Sequence, residues 1–168
     1  MKKILLVLGL CVSIFLSACT QGKVEKEPEE FSFKLTWNTY GVSSYDSETG
    51  KLVKTTDATH PEDYVTEYFL TEEELDEIYK LIADLDMESY PKEYDPFKGE
   101  MSEPSQTLIL EVCIDGEEMI IKAEDISLSD NAGNKKGQRF LDVCDTISGM
   151  LMDTKEWEAL PEYEFLYE

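Results

Sequence analysis

Asp115-Gly116-Glu117 separates two apolar runs, Thr107–Ile114 and Glu118–Ala123. Asp-Gly between such runs is among the strongest hairpin signals, because a two-residue turn needs positive φ angles that Asp tolerates and Gly adopts freely. A hairpin commits the chain to antiparallel pairing. On the first strand Leu108, Leu110, Val112 and Ile114 share one face, which leaves Cys113 and Ile109 on the other.

The rest of the chain agrees with an antiparallel sheet. Phe31, Phe33, Leu35 and Trp37 alternate with Ser32, Lys34, Thr36 and Asn38, the period of a half-buried strand. Val42–Tyr45 and Lys51–Thr55 flank the polar turn Asp46–Gly50, and Tyr64–Leu70 is rich in β-branched and aromatic residues. A helix follows. Thr71 and Glu74 stand at capping-box spacing, with Leu70 and Leu75 at the hydrophobic-staple positions. Leu75, Ile78, Tyr79, Ile82 and Leu85 then fall on one face. Glu72, Glu73 and Asp76 lie near the helix start, where the dipole favours negative charge, so capping accounts for them without a ligand. A second helix is expected over Gln138–Met152, with Phe140, Val143, Cys144, Ile147, Met150 and Leu151 in one stripe. The tail from Lys155 holds Trp157, Tyr163, Phe165 and Tyr167 and reads as an extended edge segment.

The element order is β-β-β-α-β-β-α plus a C-terminal tail strand. The expected class is α+β: an antiparallel sheet of about five to six strands with two helices packed on one face.

The N-terminus carries a different signal. Lys2 and Lys3 precede an apolar run, Ile4–Leu16, that is shorter than the roughly 20 residues of a membrane span. Leu16-Ser17-Ala18-Cys19 closes it. This arrangement resembles the lipobox signal of bacterial lipoproteins, which implies a diacylglycerol thioether on Cys19, with an N-acyl chain as a further option, and no other cofactor. Residues 1–18 are then a signal peptide, 19–30 a lipidated N-terminus and flexible tether, and 31–168 a single α+β domain. The stretches Trp37–Gly41, Tyr45–Ser47, Gly50–Leu52 and Leu70–Pro91 are similar to those of small uncharacterised lipoproteins of Gram-positive bacteria. That resemblance implies a place on the outer face of the cell membrane and transfers no catalytic residue.

Charge narrows the partners. The formal net charge is −22, and loss of a leader carrying Lys2 and Lys3 takes it to −24. Nucleic acid is excluded as a partner, since its binding draws on Lys and Arg to displace counterions. An anionic lipid surface repels such a body, leaving the acyl chains to hold it there.

Catalytic signals are sparse. His60 is the only histidine, and after Cys11 leaves and Cys19 is acylated only Cys113 and Cys144 remain, too few ligands for a zinc centre. No Gly-x-Ser-x-Gly elbow, dinucleotide fingerprint or phosphate loop occurs. Asp46–Gly50 and Asp130–Asn134 lack EF-hand spacing and read as turns. Cys113 and Cys144 lie on opposite sides of the expected sheet, so both are expected as buried, unpaired thiols. Lys135, Lys136 and Arg139 cluster at the start of the second helix. Pairing with nearby acids is the plainer reading of them, and docking of an anionic group the sharper one.

The long connection Met87–Gln106, with Pro91, Pro96 and Pro104, holds Tyr90, Tyr94 and Phe97. Two readings stand: the rings seal a core edge, or they form a ligand surface together with neighbouring acids. The function expected is a membrane-anchored, extracytoplasmic, non-catalytic binding module, monomeric, with an envelope protein or a glycan as partner. The alternatives are an envelope hydrolase using a carboxylate pair and a protein-type enzyme inhibitor presenting a rigid loop.

Overall fold

The computed structural model describes residues 28–39, 43–55 and 64–162. Six antiparallel strands form one sheet: β1 (Phe31–Thr39), β2 (Ser43–Asp46), β3 (Lys51–Val53), β4 (Val65–Glu67), β5 (Gln106–Ile114) and β6 (Glu117–Ile126). Their spatial order is β4-β3-β2-β1-β5-β6. The helices are α1 (Glu72–Leu85), α2 (Lys135–Met152) and the short α3 (Lys155–Glu158), with a 3-10 turn at Met87–Ser89 after α1. The class is α+β, with strands, a helix, strands and then helices in succession as read from the sequence, and with four strands in place of three before α1.

Register places the core. Leu52, Tyr45, Leu35, Leu110 and Ile121 stand opposite one another across five strands, and none is more than 1 % exposed. Ile78, Ile82 and Leu85 of α1 and Phe140, Cys144, Ile147 and Leu151 of α2 join the same cluster. Each fully buried aliphatic or aromatic side chain of this kind contributes about 1.5–3 kcal/mol relative to exposure. The 3-10 turn after α1 contacts β6, while α3 contacts β4.

Local chemistry explains the element ends. The β5–β6 turn has Asp115 at φ +50° and Gly116 at φ +84°, as a two-residue hairpin demands. The α1 cap is complete: the Glu74 amide donates to Thr71 Oγ1 at 3.2 Å, and the Thr71 amide donates to Glu74 Oε2 at 2.8 Å. Leu70 and Leu75 both pack against the core, as a staple requires. At the β2–β3 turn, Asp46 Oδ1 accepts the amides of Glu48 and Thr49. Gly50, at φ +69°, lies under the Phe69 ring, where an added Cβ would come within 2.7 Å of the ring.

Three expectations need correction. The second helix begins at Lys135, because Asn134 Oδ1 caps the Gly137 amide at 2.8 Å. Lys155–Glu158 is helical, not extended, with Thr154 Oγ1 capping the Trp157 amide. Cys113 is half-buried, since it points away from the helices; Cys144 is buried. Cys19, His60 and the alternating tail beyond residue 162 lie outside the described residues. No helix among the described residues is long and apolar enough to cross a membrane.

Candidate functional site

The connection between α1 and β5 turns its aromatic rings inward. Phe97 is 3 % exposed and Tyr90 9 %, both within the core cluster, and half-buried Tyr94 packs against it. Tyr94 meets Tyr90 and Phe140 edge-on, at centroid separations of 5.1 and 5.8 Å. The Tyr90 hydroxyl donates to the Lys136 carbonyl at 3.0 Å. Burial, reinforced by Tyr94, raises the Tyr90 pKa; burial and then Asp95 raise that of Tyr94. Phe97 and Tyr90 thus seal the core edge where α2 begins, and they present no open aromatic patch.

The same junction accounts for one member of the basic cluster. The Lys136 ammonium donates to the Ser89 carbonyl and lies 4.3 Å from the centre of the Tyr90 ring. Its partners are therefore a carbonyl and a π face, in place of the acids anticipated. Gly137 sits so close to this loop that an added Cβ would come within 2.8 Å of the Pro96 carbonyl. The Asn134 amide also donates to that carbonyl, at 2.9 Å.

The open feature of the molecule lies on the other face of the sheet. Both long helices cover one side, so the outward positions of the strands form a second surface. Across it Glu67, Lys51, Asp46, Lys34 and Glu111 stand in register on β4, β3, β2, β1 and β5. Their charges alternate in sign along the row. Opposite charges facing each other across strands contribute about 0.2–1 kcal/mol per pair. Ile120 of β6 ends the row beside Glu111. One register step toward the β5–β6 turn, Ser32, Cys113 and Glu118 form a parallel row.

Between these two rows runs an open trough of about 410 Å³. Asp46, Lys34, Glu111 and Ile120 line one side of it and Ser32, Cys113 and Glu118 the other, with Phe33, Val112 and Met119 between them and Glu48 and Lys92 also on the lining. Four carboxylates and two ammonium groups give it a net negative lining. It is a place to hold an extended or polar ligand, not an enclosed chamber. Among the described residues no group of three or more His, Cys, Asp or Glu side chains is arranged to hold a metal ion.

Sequence reading missed this site for a definite reason. Alternation identifies which residues of each strand face outward, but the charge row exists only once strand order and register bring five strands together. Lys34 and Glu111 are 77 positions apart and meet as direct neighbours. Comparison of the chain with family models, with curated proteins and with solved structures finds no match in any of the three.

Proposed function

We propose that this chain is an extracytoplasmic lipoprotein, anchored through acylated Cys19, whose domain is a non-catalytic binding module that meets its partner on the uncovered face of the sheet. The observation that carries the reading is the trough itself. A sheet clad on one face presents a continuous, charge-patterned surface on the other, and this surface holds half-buried Ile109 and Ile120 among its charges. Anchor energetics agree. One acyl chain binds a membrane marginally, and two make a stable attachment at about 0.8 kcal/mol per buried methylene.

Binding is favoured over carboxylate hydrolysis because the acids line an open trough on a sheet face and not an enclosed cleft. Asp46 and Glu111 are two strands apart, about 10 Å by strand separation, with Lys34 between them.

Two experiments test the two halves of the reading. Cys19→Ala moves the protein from membrane to medium or leaves an unprocessed precursor, and processing of the wild type is blocked by globomycin. A wild-type mature N-terminus at any residue other than Cys19 overturns the anchor. For the module, a photo-crosslinking residue at Thr36, on the uncovered face, gives a discrete adduct in intact cells, whereas one at Asp84, exposed on α1, gives none. Equal adducts from both positions, or none from Thr36, overturn the site.

A further inference from the structure

The two edges of the sheet are not equivalent. β4 is three residues long, and α3 packs against it. β6 is ten residues long and forms the opposite edge. Among the described residues its outer side is bridged by backbone at one point, a parallel bridge between Glu93 and Lys122. There the Lys122 amide donates to the Lys92 carbonyl at 2.7 Å, and the Tyr94 amide donates to the Lys122 carbonyl at 2.8 Å. Pairing stops immediately upstream. Tyr90, whose carbonyl the next outward amide of β6 would need, turns into the core.

In an antiparallel pair, alternate residues point both backbone groups away from the partner strand. Lys122 is such a residue, and the register between β5 and β6 is regular from Lys122 to Glu117. The amides and carbonyls of Ile120 and Glu118 therefore face the same outer side as those of Lys122. No strand among the described residues pairs with them there. This is an open template for one more strand, and such edges are usually blunted by charge or cover.

The charge present selects the occupant. Glu117 and Glu118 stand exposed on this stretch, and Glu111 lies next to Ile120 on the trough side. Both trough rows run out to the same edge, at Glu118 and Ile120. A second copy of a chain with net charge −22 would bring its own Glu117 and Glu118 against these, so self-pairing is disfavoured.

We infer that the outer edge of β6 between Glu117 and Ile121 takes an extended, basic peptide segment as an added strand. The backbone groups of Glu118 and Ile120 hydrogen-bond its main chain, and the carboxylates of Glu111 and Glu118, on the uncovered face, receive its cationic side chains. Main-chain pairing supplies affinity and the alternate side chains supply selectivity, as in other strand-addition complexes. The inference rests on the binding-module reading and names the partner class for the same surface.

The test uses the full chain in neutral detergent micelles and fluorescence anisotropy with three labelled octapeptides: alternating Lys-Val, alternating Glu-Val and a Lys-Val peptide N-methylated at every peptide bond. The Lys-Val probe binds saturably. The Glu-Val probe, and the fully N-methylated probe of equal charge that has no amide hydrogen for a ladder, bind at least about tenfold more weakly. Ile120→Pro, which deletes an outward amide, and Glu118→Lys each weaken Lys-Val binding by a similar factor. If Ile120→Pro lowers the melting temperature, Glu118→Lys alone decides. Equal binding of the Lys-Val probe and its N-methylated counterpart, or unchanged affinity in Glu118→Lys, overturns the inference. The Thr36 adduct keeps the two readings apart: its persistence when the peptide assay fails leaves the module standing without this edge.

Discussion

Asp115 and Glu30 are joined in both directions: the Asp115 carboxylate accepts the Glu30 amide at 3.1 Å, and the Asp115 amide donates to the Glu30 carbonyl at 2.9 Å. The same carboxylate oxygen accepts the Glu29 amide at 2.8 Å. The residue that shapes the β5–β6 turn thus also fastens the chain entering β1, at the end of the sheet where that turn lies. If Cys19 is the anchor, this end is the one tied to the membrane, and the β6 edge between Glu117 and Ile121 begins beside the tie.

Asp115→Gly separates the two roles, because Gly keeps the positive φ and removes the carboxylate. The expected result is loss of hydrogen-exchange protection at Glu29 and Glu30 and faster proteolysis just before Phe31. The hairpin stays intact, with a melting temperature within a few degrees of wild type. Asp115→Asn retains an acceptor oxygen and falls between the two. Unchanged exchange at Glu29 and Glu30 in Asp115→Gly would show that the clamp holds nothing.

At the start of α1 the capping box adds a third partner, since the Tyr68 hydroxyl donates to Glu74 Oε1 at 2.7 Å. Burial and that hydrogen bond push the Tyr68 pKa to about 12. The Glu74 carboxyl moves the other way, below 4.5, mainly because it accepts the Thr71 amide. Thr71→Ala is expected to cost about 1 kcal/mol in urea unfolding. For Glu74 the sign is that of a depressed acid: its contribution is full above the unfolded-state value and is lost as pH falls through the folded one. The stability difference between wild type and Glu74→Gln is therefore constant from neutral pH down to about 4.5 and shrinks below it. A difference that grows on acidification contradicts the assignment.

These two ends show which parts of the fold were legible. Asp115-Gly116 and Thr71–Glu74 are local devices, in which residues at most three apart satisfy one another's backbone groups, so their spacing alone identified a turn and a cap. Asn134 is equally local. Its signal is masked because the first turn of α2 carries Lys135, Lys136 and Gly137 in place of the apolar residues that mark a helix, so periodicity places the start at Gln138. The aromatic connection was ambiguous on different grounds. Composition shows that Tyr90, Tyr94 and Phe97 are sticky, while only the position of Phe140 and the Lys136 carbonyl decides which way they face. The charge row and the open edge of β6 depend on strand order, which no short window contains.

For that connection the expected losses follow burial. Phe97→Ala empties a site 3 % exposed and should cost about 3–5 kcal/mol. Tyr94→Ala removes a half-buried ring and two edge-on contacts, and should cost less than Phe97→Ala. Urea unfolding of the two single variants measures both. A near-neutral Phe97→Ala would return that ring to the surface as a ligand contact.

The thiols should differ in reactivity although both are unpaired. Burial, and then Asp145, push the Cys144 thiol far above its ordinary value, so it resists alkylation in the native state. Half-buried Cys113 lines the trough and reacts first. Alkylation under native conditions, followed by mass spectrometry, should give one added group at Cys113, and a second at Cys144 only after unfolding. Native labelling of Cys144 before Cys113 would contradict the face assignment of β5.

Asp145 gives the fold a pH response of the opposite sign to Glu74. Desolvation comes first, followed by repulsion from Asp130 and Asp142, and together they raise its carboxyl above the ordinary 3.8. With the folded value raised, the native state binds more protons than the unfolded chain between the two values. Stability then falls as pH rises through that window, and the ionised group is a burden at neutral pH. Asp145→Asn keeps the shape and removes the charge. The Asp145 carbonyl that accepts the Ser148 hydroxyl belongs to the backbone, so that bond survives the substitution. The variant is expected to be more stable than wild type in urea at pH 7, with the advantage fading toward zero as pH falls below about 3.9. Comparing the pair at each pH cancels the response of the other 36 acidic residues. A variant less stable than wild type at pH 7 would mean that the carboxylate has a favourable partner, and would reverse the sign argued for this site.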